Sequence, residues 1–180
     1  MTWFADLDLL KYHSGPFDAE NWSAPLRAIG WLEAPHLFRR DGCPDSVLEK
    51  LKALVGQSPT AHPHYRFRGG MTCSWCVAAA LETPGPVWSQ ENIFVPGAGV
   101  VYVAPSGIVH YVEAHAYRPP EEFIEAVLRC PDLESQEYCK PLCEANGNKE
   151  PPLESKETHE RKWADRRAKF ARIRGSRDGQ

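Results

Sequence analysis

With 180 residues, 42% of them hydrophobic and 25% charged, the chain has enough apolar side chain for one compact core and gives little reason to expect two. No apolar run approaches the roughly 18 residues of a membrane span. Asp6 and Asp8 interrupt the N-terminal stretch where an export signal needs a positive region and then an apolar one, so a cytoplasmic protein without membrane partners is expected. The net charge of −3 hides an asymmetry, because residues 161–177 carry eight Lys/Arg against one acid, Asp165, which leaves the rest of the chain acidic.

The first thirty residues mix Trp3, Phe4, Tyr12, Phe17 and Trp22 with polar breaks and read as core or covering aromatics, and residues 27–32 read as a short buried strand. From Pro44 the pattern sharpens. Ser46 and Glu49 have capping-box spacing, Val47, Leu48, Leu51, Leu54 and Val55 recur at helical spacing, and Gly56 suits a stop, which predicts a helix over about 45–55. Residues 57–64 contain two prolines and no periodicity and read as a loop entering a short strand at Tyr65–Phe67. Residues 77–81 suit a helical turn, and Pro84 and Pro86 a loop. The β-branched and aromatic runs Ile93–Val95 and Val100–Val103, separated by Pro-Gly-Ala-Gly, predict a hairpin. A helix follows at 108–115 and is interrupted by Arg118, Pro119 and Pro120. A second runs to about Arg129, with Phe123, Ile124, Val127 and Leu128 as its apolar face. Residues 131–155, with four prolines, read as a linker, and 156–180 as a basic tail that is helical over 156–174 and mobile as a whole. The fold class is therefore α+β, a small single domain over 1–130 followed by linker and tail.

Cysteines without an export signal are better read as thiols or metal ligands than as disulfides. Cys73 and Cys76 have the spacing of a knuckle that aims two thiolates at one point, which is half of a tetrahedral zinc site. The chain then runs through the hairpin to a helix with His110 near its start and His115 at its end, the order of a treble clef. Five residues of regular α-helix turn through about 500° and leave the two imidazoles roughly 140° apart, so both reach one ion only where the helix end loosens. The expected cofactor is one structural zinc on Cys73, Cys76, His110 and His115. Cys139 and Cys143 are the competitors for the histidine places, His62 and His64 offer a weaker second site, and Cys43 and Cys130 read as packing residues.

Gly70–Cys76, Val101–Pro105 and His110–Val127, with Phe4–Leu7 and Gly30–Leu32, together resemble an uncharacterised bacterial family of small domains of unknown function, over about residues 3–129. In that family's pattern a His commonly precedes the first cysteine. Thr72 stands there in this chain, so that position supplies no ligand. The resemblance implies a module boundary and groups the cysteine pair with the His-Tyr-x3-His segment, and it implies no activity.

Four protein ligands leave no place for water or substrate, so the expected function is a zinc-stabilised interaction or adaptor module rather than an enzyme, with no catalytic residues. A small zinc hydrolase would need one position open, most naturally that of His115, with Glu113 as base. Phosphate-loop, nucleophile-elbow and zinc-deaminase motifs are all missing. A protein partner is expected. The tail interleaves Arg161, Lys162, Arg166, Arg167, Lys169, Arg172 and Arg174 with Trp163 and Phe170, a composition able to follow a phosphate backbone and stack on bases, or to dock on an acidic protein.

Overall fold

A computed structural model describes residues 3–10, 23–61, 72–78 and 91–148, with side-chain detail in the first long segment through Ser58. Its elements, in order, are β1 (Leu26–Ala28), α1 (Asp45–Ala61), α2 (Ser74–Ala78), β2 (Asn92–Gly97), β3 (Val100–Pro105), α3 (Ile108–His115), α4 (Glu121–Arg129) and α5 (Gln136–Ala145). The class is α+β, as expected. The strand at 65–67, the loop at 83–86, His62, His64 and the whole 156–180 tail lie outside the described residues, as do Tyr12, Phe17 and Trp22.

The hairpin forms as predicted and is longer at both ends. β2 and β3 pair antiparallel from Asn92 opposite Pro105 to Gly97 opposite Val100, which leaves Ala98 and Gly99 as a two-residue turn, with Gly99 at φ +67°. β1 adds to the other side of β3 in parallel, Leu26 opposite Val101 through Ala28 opposite Val103, in the order β1-β3-β2. Both hairpin strands are buried along almost their whole length, which is why they read as continuous apolar runs rather than alternating ones. The predicted 27–32 strand stops early because Gly30, at φ +68°, turns the chain. A methyl there would sit 3.1 Å from Ile108 Cγ1, so the glycine also permits close packing on α3.

α1 buries Val47, Leu51 and Leu54 completely. It starts at Asp45, with the Pro44 carbonyl accepting from the N–H groups of Val47 and Leu48, so Ser46 lies inside the first turn and is not the cap. It also continues past Gly56. The interior glycine costs only about 1 kcal/mol, and tertiary bonds hold the extra turn: Ser58 Oγ donates to the Asn92 carbonyl and Gln57 Oε1 accepts from Leu133 N–H at 2.7 Å. α4 buries Phe123, Ile124, Ala126 and Val127, while Leu128 is half exposed rather than part of the apolar face.

Residues 131–155 are not simply a linker. α5 occupies their middle, with Tyr138 and Leu142 in the core and the Tyr138 hydroxyl donating to the Phe94 carbonyl at 2.6 Å. Just beyond it, Asn146 Oδ1 accepts from Ser23 N–H at 2.7 Å across 123 residues of chain. Pro141 inside α5 weakens the local helix signal, and packing against the hairpin outweighs it. The core therefore extends past residue 130.

Candidate metal centre

The site is assembled from two short elements. Cys73 directly precedes α2 and Cys76 lies within it, with the first turn closed by Val77 N–H donating to the Cys73 carbonyl. Ser74 Oγ accepts from Ala34 N–H at 2.9 Å and moors this turn to the loop after β1. α3 supplies His110 from its first turn and His115 as its last residue. The helix ends with Ala116 at φ +52°, and the N–H groups of Ala116 and Tyr117 both donate to the Tyr111 carbonyl. Those five- and six-residue spans are wider than an α-turn, and they are the loosening that the His-x4-His spacing required.

The Cys73 Sγ to His115 Nε2 distance is 3.2 Å, and Cys76 Sγ lies 3.4 Å from Nε2 of both His110 and His115. All four donor atoms fall within 4.8 Å of one another, and the two imidazoles stand nearly perpendicular with centroids 5.0 Å apart. A tetrahedral ion with metal–sulfur and metal–nitrogen bonds of about 2.3 and 2.0 Å separates its S and N ligands by about 3.5 Å, within a few tenths of an ångström of these distances. Hydrogen bonding accounts for them less well. One Nε2 carries either a single N–H or a single lone pair, and His115 Nε2 faces two sulfurs at once. The four side chains are placed to bind a metal ion.

Both cysteines are buried and both histidines half-buried. Burial lowers the His110 imidazole below its ordinary range, with the Glu113 charge opposing. It lowers His115 too, helped by His110 and by the Arg40 guanidinium, and both shifts favour the neutral form that a metal ligand needs. Burial, and after it the Cys73 side chain, raises the Cys76 thiol. The four-membered group includes neither Cys139 nor Cys143, which lie on α5. Cys130 is a packing residue whose thiol burial pushes up to about 12, and Cys43 is half-buried.

Two arrangements around the centre escaped sequence reasoning. The Arg40 guanidinium lies over the rings of Phe38 and Trp75, 4.7 and 5.4 Å from their centroids, and Trp75 is one of the two residues between the cysteines. The alternation Phe38-x-Arg40 was the only local trace of it. Asp6, whose carboxyl burial raises, accepts at one oxygen from Gly30 N–H and from the Tyr117 hydroxyl, each at 2.8 Å. Trp31 Nε1 donates to the Val103 carbonyl at 3.0 Å. The separate segments that carry the resemblance thus meet: Phe4–Leu7 and Gly30–Leu32 at Asp6, both of them with the stretch after His115, and Gly30–Leu32 with β3.

Among the described residues no helix is long and apolar enough to cross a membrane. The tail residues Arg161, Lys162, Trp163, Arg166, Arg167, Lys169, Arg172 and Arg174 lie outside the described residues. No curated protein and no solved structure matches the chain. A family model described as a domain of unknown function, DUF7919, matches residues 2–128, and the chain belongs to that family.

Proposed function

We propose that the protein is an interaction or adaptor module whose domain is held together by one structural zinc ion on Cys73, Cys76, His110 and His115. The observation that carries this reading is the mutual approach of two thiols and two imidazoles within 4.8 Å. Two sulfurs and two nitrogens in tetrahedral array are the donor set of zinc, and two thiolates neutralise its charge, which suits a half-buried position. Four protein donors fill the coordination shell, so the ion ties α2 to α3 and supplies folding energy rather than chemistry. The order of cysteine pair, hairpin and helix supports a treble-clef-like unit. Glu113, the base that an open-site hydrolase would use, is ion-paired with Lys52 at 2.9 Å, which favours the structural reading over the enzymatic one. A reduced cytoplasmic setting fits free thiols at these positions.

The experiment is metal content per chain by plasma mass spectrometry, on protein purified without added metal, for the wild type and for Cys73→Ser, Cys76→Ser, His110→Ala and His115→Ala. About one zinc per chain, lost in all four variants, is expected. No zinc in the wild type sinks the proposal, and zinc retained in His115→Ala transfers the case to an open catalytic site. The basic tail is the segment through which nucleic acid would be contacted. Anisotropy with labelled single-stranded DNA should then show binding that weakens steeply with salt and disappears when the seven tail cations from Arg161 to Arg174 are changed to Gln.

A further inference from the structure

The loop from Pro35 to Arg40 passes beside the metal centre and is exposed at Pro35, His36, Leu37, Arg39 and Arg40. Leu37 is 92% exposed, and His36 stacks on Trp3 with ring centroids 4.0 Å apart. Its two arginines are held differently. Arg39 is ion-paired with Asp41 and Glu121. Arg40 has no carboxylate partner among the described residues; its guanidinium lies over Phe38 and Trp75, which themselves meet edge to face at 5.4 Å.

A guanidinium stacked by its face keeps the N–H groups of its edge for a planar, two-pronged acceptor, and the rings below fix its orientation before anything binds. The cation is also not needed by the centre beside it, since two thiolates already balance a divalent ion. We infer that Arg40, on its Phe38–Trp75 platform and with the exposed Leu37 of the same loop, is the docking point for a protein segment that presents a carboxylate beside an apolar side chain. A carboxylate fits the fork, and an apolar neighbour covers a leucine that is left 92% exposed. A nucleic-acid backbone fits less well, because a polyanion gains from several cations together, whereas the neighbouring Arg39 is already ion-paired with Asp41 and Glu121. The inference rests on the reading of the protein as an interaction module and not on the identity of its metal.

The test is a titration of ¹⁵N-labelled full chain, followed at the Arg40 Nε–H and Trp75 indole N–H signals, with a capped Glu-Leu-Glu-Leu peptide, its Gln-Leu-Gln-Leu counterpart and inorganic phosphate. Saturable shifts at both signals with the acidic peptide are expected, with a dissociation constant of about 1 mM or tighter. Binding should weaken about tenfold for the amide peptide and for Arg40→Gln, and less for Arg40→Lys, which keeps the charge but loses the fork. Arg39→Gln should leave binding intact. Lack of saturation, equal binding of the amide peptide, or undiminished binding by Arg40→Gln overturns the inference, and equal saturation by phosphate overturns it in favour of a phosphate-bearing ligand. Metal content measured on the same samples separates the two proposals: protein without zinc fails the structural reading, while the peptide shifts still decide the docking point.

Discussion

His115→Ala removes a donor that lies 3.2 Å from one cysteine sulfur and 3.4 Å from the other, and because the ring is only half-buried its loss leaves little cavity. Partners in the outer shell of a metal site are worth about 10–100-fold in affinity, so removal of one ligand of the proposed zinc ion should cost at least about 100-fold. With free zinc buffered well above both dissociation constants, a 100-fold loss is about 2.7 kcal/mol of stability. Each kcal/mol moves the midpoint of a domain of this size by about 2–4 °C, which predicts melting about 5–11 °C lower. The assay is differential scanning calorimetry in zinc buffers, paired with competition against a chromophoric chelator for the affinity itself. The same comparison in excess chelator is the control, and there the difference between the proteins should nearly vanish because it acts only through the ion. A difference that persists undiminished in chelator, or zinc affinity unchanged by the substitution, would refute ligation by His115 and leave it a packing residue. Cys139→Ser with Cys143→Ser should leave zinc affinity unchanged.

Asp6→Asn keeps the oxygen that accepts from Gly30 and Tyr117 and removes a buried charge. Because burial raises the folded carboxyl above its ordinary 3.8, the wild type's stability contribution from this group is complete below about pH 4 and is lost as pH rises through the raised value. The variant should therefore be at least as stable at pH 7 and show a flatter urea midpoint as pH rises above about 4; a steeper profile would contradict the burial account. Leu142→Ala empties a fully buried place on α5 and should cost about 2–5 kcal/mol in urea unfolding, whereas a loss well below 1 kcal/mol would mean that α5 is not part of the cooperative unit. Two glycines should respond with opposite signs. Gly97→Ala would place its methyl 2.7 Å from a Tyr102 ring carbon and should destabilise by about 1–3 kcal/mol, while Gly56→Ala meets nothing within 4 Å on an exposed helical face and should stabilise by up to about 1 kcal/mol. Thermal midpoints of both that move in the same direction would show that local crowding does not govern these positions.

What is written between near neighbours in the chain was legible without coordinates. Val47, Leu51 and Leu54 specify α1 by helical spacing, β-branched runs around Pro-Gly-Ala-Gly specify the hairpin, and Pro119 and Pro120 mark where α4 begins. The donor set was legible for the same reason, since a Cys-x2-Cys and two histidines carry their chemistry in residue type and spacing. Even the need for a loosened helix end at His115 followed from helical geometry alone. Sequence did not reveal α5, because Pro141 and its acids imitate a linker, and only burial of Tyr138 and Leu142 against the hairpin makes that segment helical. It did not reveal the extra turn of α1, which depends on bonds from Gln57 and Ser58 to distant backbone. Nor did it show that Asp6 joins Gly30 to Tyr117 or that Arg40 lies on Phe38 and Trp75. The sequence by itself determined which groups were available and their local periodicity. Only the tertiary structure decided which of them meet, because contacts across tens of residues depend on how the whole core closes and leave no periodic trace in the chain.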